Sequence, residues 1–233
     1  MKSRIFLFLA IVSVAGMLAM SGCHPFDEET PRGRTGTLNG HEWVDFGLPS
    51  GTCWATCNVG ANSREEYGDY FAWGETTTKG TYTWENLMYY DDDGRVFTKY
   101  NGFDNKSVLE ARDDAATANW GVGWRMPTID EINELILYTS YTEKIVNGVK
   151  GSLITGGLDG INSIFLPYAG YRDRDRDSDD CFVGIRGFYW SSSNDTLPWR
   201  ASDAFYFATD LGTSSTYDRY KGYSVRPVCK PLN

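Results

Sequence analysis

Cysteine is the residue with the most chemistry to offer in this chain, and its five copies divide by context. Cys23 stands directly after Ser21-Gly22, at the end of an apolar stretch from Ile5 to Met20 that begins behind a basic head, Lys2 and Arg4. A basic head, an apolar run and small residues before a cysteine make a secretion signal that ends in a lipid-attachment site. The apolar stretch is 16 residues, short of the ~18–20 that a spanning helix needs. We therefore expect a leader over residues 1–22 and a lipidated Cys23, whose acyl chains attach the chain to a membrane without help from the rest of it.

The other four cysteines, Cys53, Cys57, Cys181 and Cys229, are an even number, which in an exported chain favours two disulfides over free thiols. Cys53 and Cys57 lie in a strand-like run, where four residues span ~13 Å against a limit of ~7 Å between bridged Cα atoms. Two long-range pairings remain, each tying residues 53–57 to the C-terminal half.

Catalytic inventory is thin. The two histidines are His24 and His41, so a serine triad or a zinc site would have to be built around His41. No glycine-rich phosphate loop follows a strand-like run. Asp91-Asp92-Asp93-Gly94 suggests a calcium loop, but with Gly94 at its sixth position Tyr89 and Tyr100 fall where carboxylates are required. The alternating run Arg172 to Asp177 neutralises itself and reads as a solvated loop, with a calcium site helped by Asp179 and Asp180 as the minor alternative. We expect no enzyme and no cofactor, with calcium left open but unsupported by any motif. A carboxylate-pair enzyme acting on polysaccharide stays as the third reading, because spacing along the chain says nothing about separation in space.

Recognition chemistry is richer between Asn194 and Lys221. Trp199, Arg200, Asp203, Tyr206, Tyr217, Asp218, Arg219 and Tyr220 form a ligand-binding set, since rigid aromatics supply contact area at low entropy cost and short polar groups fix orientation. Removal of Lys2 and Arg4 with the leader takes the 22 basic residues to 20 against 31 acidic ones, a net charge of −11. An acidic body repels nucleic acid and anionic lipid, so the partners expected are a glycan or a protein, with the membrane reached through the lipid alone.

These groups must be positioned by a mostly β body. Residues 24–37 (HPFDEETPRGRTGT) are nearly devoid of apolar side chains and carry two prolines and two glycines, which makes a tether. From Leu38 to residue 231 no linker-like break or repeat occurs, and one domain is expected. Strand-like runs at 42–46, 52–59, 152–155, 163–168, 182–192, 203–209 and 223–229 are separated by turn signals such as Asn39-Gly40 and Asn147-Gly148. Two helices are expected. One starts at Thr128, whose spacing to Glu131 makes a capping box before Ile132, Leu135, Ile136 and Thr139; the other is short and spans about 112–119. That mixture argues an α+β fold, largely antiparallel with long loops.

Six segments recur in order: LPSGTCWATCNVGA (48–61), EYGDYFAWGE (66–75), NKSVLEARDDAATANWGVGWRMPT (105–128), IFLPYAGY (164–171), GFYWSSS (187–193) and GYSVRPV (222–228). Together they resemble the Fibrobacter succinogenes major paralogous domain, a family common in surface lipoproteins of gut Bacteroidetes, over essentially everything after Leu38. That family is similar to C-type-lectin-like and formylglycine-generating-enzyme-like folds, in which the end strands pair and an irregular loop region forms one face. The cysteine arrangement on which the formylglycine-generating enzymes depend is not reproduced. The resemblance implies a C-type-lectin-like domain, and paired end strands would set Cys57 against Cys229, leaving Cys53 with Cys181. The acidic trio Asp27, Glu28 and Glu29 after Cys23 is similar to the signal that sends Bacteroidetes lipoproteins to the outer face of the outer membrane. The expected function is a surface-displayed, lipid-anchored binding and adhesion module, with an assembly subunit of a surface filament or polysaccharide-handling complex as the alternative. Trp124 and Trp190, beside Gly123 and Gly187, are expected in the core, and Arg226 is expected to bond carbonyls of the loop layer.

Overall fold

A computed structural model describes residues 34–93, 95–156, 161–174, 181–194, 203–208 and 213–230. The leader, Cys23, the acidic trio and most of the tether lie outside the described residues, as do Trp199 and Arg200.

The described residues form fifteen short strands and two α-helices. The first three strands are β1 (Thr35–Leu38), β2 (His41–Asp45) and β3 (Cys53–Ala55), followed by β4 (Tyr70–Phe71), β5 (Tyr90–Asp91) and β6 (Val96–Phe97). A 3-10 turn (Ala111–Asp113) leads into α1 (Ala115–Trp120), then come β7 (Trp124–Arg125) and α2 (Ile129–Tyr138). The second half holds β8 (Ser140–Val146), β9 (Val149–Gly156), β10 (Asn162–Pro167) and β11 (Phe188–Asn194). It closes with β12 (Asp203–Ala208), β13 (Thr213–Asp218), β14 (Tyr223–Ser224) and β15 (Val228–Cys229). They assemble into sheets ordered β1-β2-β3-β15-β7, β10-β9-β8 and β13-β12-β11-β14-β4, plus the β5-β6 ribbon. Every pairing is antiparallel except β11 with β14. The α+β, mostly antiparallel reading of the sequence is the observed architecture.

Local chemistry explains the tight connections. Asn39 and Gly40 have φ of 49° and 83°, and Asn147 and Gly148 have 48° and 84°, the pair of positive values that a type I′ hairpin turn demands. At α2 the capping box is complete: the Glu131 N–H donates to Thr128 Oγ1 at 3.3 Å and the Thr128 N–H donates to Glu131 Oε2 at 2.9 Å. Ile132 and Leu135 then face Val44, Trp54, Ile164, Tyr189 and Val228. α1 starts later than the sequence suggests because Asp114 is its N-cap, accepting from the Thr117 N–H at 2.9 Å and from the Met126 N–H at 2.8 Å.

The sheet joining β3 to β15 is buried on both faces. Cys53, Ala55, Trp124 and Cys229 pack into one apolar cluster, while Trp54 and Val228, offset by one residue, pack into the other. Alternation along a strand sends successive side chains to opposite faces, so these residues are buried without interruption. Trp124 and Trp190 are core residues at 1% and 0% exposure, and their indole N–H groups donate to Leu38 O at 2.9 Å and Phe71 O at 2.8 Å.

Arg226 is the polar centre of this core, 1% exposed. Its Nε donates to Asn58 Oδ1 at 2.8 Å, Nη1 to Ala55 O at 3.0 Å and Thr56 O at 2.8 Å, and Nη2 to Phe165 O at 2.9 Å. Burial lowers its pKa from the ordinary guanidinium value. A second polar node lies at Asp113, which accepts from Tyr89 at 2.8 Å, Tyr100 at 2.5 Å and the Lys99 ammonium.

Arg226→Met leaves four buried acceptors without their charged donor, and a loss of roughly 3–5 kcal/mol in urea unfolding is expected. Glu131 offers a pH test. Burial would raise its pKa, but the Arg125 fork, the Thr128 N–H and the Thr52 hydroxyl overcome that and hold it at about 2 against the ordinary 4.5. A depressed carboxylate contributes stability above 4.5 that fades as pH falls through 2. Glu131→Gln should cost about 2 kcal/mol at pH 7, less than a fully buried pair because Arg125 is 37% exposed. The gap between the variant and the natural chain should close between pH 4.5 and 2 in the same unfolding measurement.

Candidate ligand-binding face

The expected recognition stretch forms a hairpin of β12 and β13, with Asp203 opposite Asp218 and Tyr206 opposite Ser215. β13 is the outer strand of its sheet, fixed against α2 by Ser214 Oγ donating to Asn133 Oδ1 at 2.9 Å. Side chains along an outer strand alternate between the sheet faces, and Tyr217 falls on the open one, 44% exposed.

What holds Tyr217 is Lys221. The Lys221 ammonium lies 4.7 Å from the Tyr217 ring centroid, 4.9 Å from Tyr171 and 5.5 Å from Tyr220. It donates to Asp173 Oδ2 at 2.6 Å, with 5% and 14% of the two side chains exposed. An ammonium over aromatic faces is attracted by their quadrupoles, so the charge braces the Tyr217 ring, which stays 44% exposed. The segment carrying Asp173 is itself pinned, Arg172 and Gly222 exchanging backbone hydrogen bonds of 2.8 and 2.9 Å. Arg172 lies over the Tyr70 ring at 4.2 Å.

Two members of the expected binding set turn inward, and this corrects the sequence reading. Arg219 is 1% exposed. Its guanidinium lies over Trp73 at 4.6 Å and Phe97 at 4.4 Å, and Nη1 donates to Tyr100 O at 2.9 Å. Tyr220 is 5% exposed, its ring 4.8 Å from that of Trp84. Burial, then the nearby Asp173 carboxylate, push the Tyr220 phenol well above its ordinary value. The physical reason is the turn after β13, which feeds Arg219 and Tyr220 into the aromatic layer beneath the hairpin. Asp218 is half-buried. The start of the Arg/Asp run is likewise not a free loop, since Arg172 and Asp173 are engaged as described. Lys221 and Asp173 were outside the expected set, and nothing in their spacing signals that they meet.

Cavities also lie elsewhere among the described residues. One of about 420 Å³ is walled by Val108, Leu109, Val122 and Trp124 with Asp114 and Arg125. Its polar groups are committed to the fold, Asp114 by its backbone donors and Arg125 by Glu131 at 2.6 Å. Another, about 400 Å³, is walled by His41, Glu42, Thr56, Cys57, Asn62 and Trp120. His41 stacks on Trp120 at 3.7 Å and 4°, and burial lowers its pKa from 6.5. Among the described residues no hydrogen bond joins the imidazole to Cys57 or Glu42, and no group of three His, Cys, Asp or Glu side chains is arranged to hold a metal.

The expected bridges are not formed. The structure shows no Cys57–Cys229 link, and the register of β3 with β15 sets Cys53, not Cys57, opposite Cys229. Comparison with protein families, with curated proteins and with solved structures finds no match to this chain.

Lys221→Met strands the Asp173 carboxylate and is expected to lower stability by about 2–3 kcal/mol, whereas Tyr217→Ala, on the open face, should cost under about 1 kcal/mol. Thermal melts of the two variants beside the natural chain check this ranking.

Proposed function

We propose that this chain is a surface-displayed, lipid-anchored binding module of C-type-lectin-like fold, recognising a glycan or a protein through the face that Tyr217 presents. The braced Tyr217 ring carries the reading. Its orientation is fixed before any ligand arrives, so little side-chain entropy remains to be lost on binding. A pyranose ring can stack its C–H face on the exposed part of the phenol, as apolar faces do on aromatic rings. Ser215, two residues before Tyr217 on the same strand and likewise exposed, presents a hydroxyl on the same face to accept and donate hydrogen bonds. The C-type-lectin-like assignment is supported by the pairing of β3 with β15, which brings the start and end of the domain together, and by two short helices in a loop-rich antiparallel body.

The lipid anchor rests on the leader and Cys23. Cys23→Ser should release the chain from the membrane fraction, and retention of that variant in the membrane would remove the anchor from the reading. For binding, the full chain is screened against an array of glycans and surface proteins, then repeated with Tyr217→Ala. A loss of roughly 10-fold in affinity is expected, the equivalent of about 1.4 kcal/mol from one aromatic contact. Undiminished binding by the variant, with its fold intact, would place recognition on another face.

A further inference from the structure

We propose that Cys53 and Cys229 are joined by a disulfide in the mature protein. β3 and β15 pair with Cys53 directly across from Cys229, and residues opposite one another on neighbouring strands project to the same face. Both side chains lie in the same apolar cluster, at 2% and 1% exposure. The Ala55 N–H donates to Pro227 O at 2.9 Å, which makes 55/227 a hydrogen-bonded pair. Cys53 and Cys229, two residues along, are of the same class, with Cα atoms ~5.5 Å apart. That separation falls inside the range of about 4.4–6.8 Å over which disulfides form.

The other two cysteines do not compete. Cys57 lies past the end of β3 and opens into the cavity beside Thr56 and Asn62. Cys181 is held against Gly170 and Tyr171, where its carbonyl accepts from the Tyr171 N–H at 3.0 Å and would stand 2.3 Å from any Cβ placed on Gly170.

Formation is an exchange with a protein or small-molecule disulfide of the exporting compartment. The thiolate of Cys53 or Cys229 attacks that disulfide, one of its sulfurs leaves as a thiol, and the second cysteine displaces the other. The two cysteine protons and two electrons end on the donor, which becomes a dithiol. Timing follows from burial. It pushes the Cys53 thiol up to about 12, helped by Asp45 and Cys229, and Cys229 up to about 11. Thiolate is the reactive form, so the folded, reduced chain resists oxidation and the bond forms before the sheet closes.

The inference rests on the exported location proposed above, so the experiment has two arms. Full chain isolated from membranes, and full chain unfolded, reduced and refolded in a glutathione redox buffer, are both alkylated and mapped by peptide mass without reduction. Cys53 and Cys229 should escape alkylation in the native and in the unfolded protein, and only reduction should release them, from a linked peptide pair. Cys57→Ser should leave that link unchanged, and the oxidised chain should melt roughly 10 °C above its reduced form. A refolded chain that links Cys57 or Cys181 to either partner, or that keeps four thiols, overturns the inference. A link present after refolding and absent from the cell-derived chain upholds the pairing and overturns the exported location instead.

Discussion

A single buried cation organises the molecule. Arg226 has no carboxylate partner among its hydrogen bonds; its guanidinium is held by the carbonyls of Ala55, Thr56 and Phe165 and by the Asn58 side chain. Such a group is costly to bury unless its donors are met, so these segments must arrive together or not at all. They are the exit from β3, strand β10 and the approach to β15. The requirement adds to the β3-β15 pairing in fixing the chain's first and last thirds against each other.

Around that centre the sheets divide the labour. The β3-β15 sheet is buried on both faces and makes a rigid floor, whereas the β12-β13 hairpin stands at the outer edge of another sheet. The face that carries Tyr217 is therefore supported by the core without belonging to it. Beneath it, Arg219, Trp84 and Tyr220 form an aromatic and cationic layer that sets the height of the hairpin, and Lys221 links that layer to the open tyrosine.

Legibility in the sequence followed the range of the interactions. The capping box at Thr128 and Glu131, the Asn-Gly hairpin turns and the burial of Trp124 and Trp190 are set by neighbours within a few residues or by side-chain bulk, and all were readable. The strand-like run at 223–229 was readable as extended chain, but not its division into β14 and β15, which join different sheets. In the stretch from Asn194 to Lys221, composition could not say which of the aromatics face out.

The sequence by itself determined the element types, the antiparallel α+β class, the acidic balance of charge and the use of Arg226 as a carbonyl clamp, because each depends on local periodicity, capping chemistry or the donor count of one side chain. Only the tertiary structure decided that Cys53 stands opposite Cys229, that Arg219 and Tyr220 point inward and that Lys221 meets Asp173. Those outcomes depend on strand register and on which sheet a strand joins. A shift of one residue reverses every side chain along a strand, and the choice is made by contacts between residues that lie 48 to 176 positions apart.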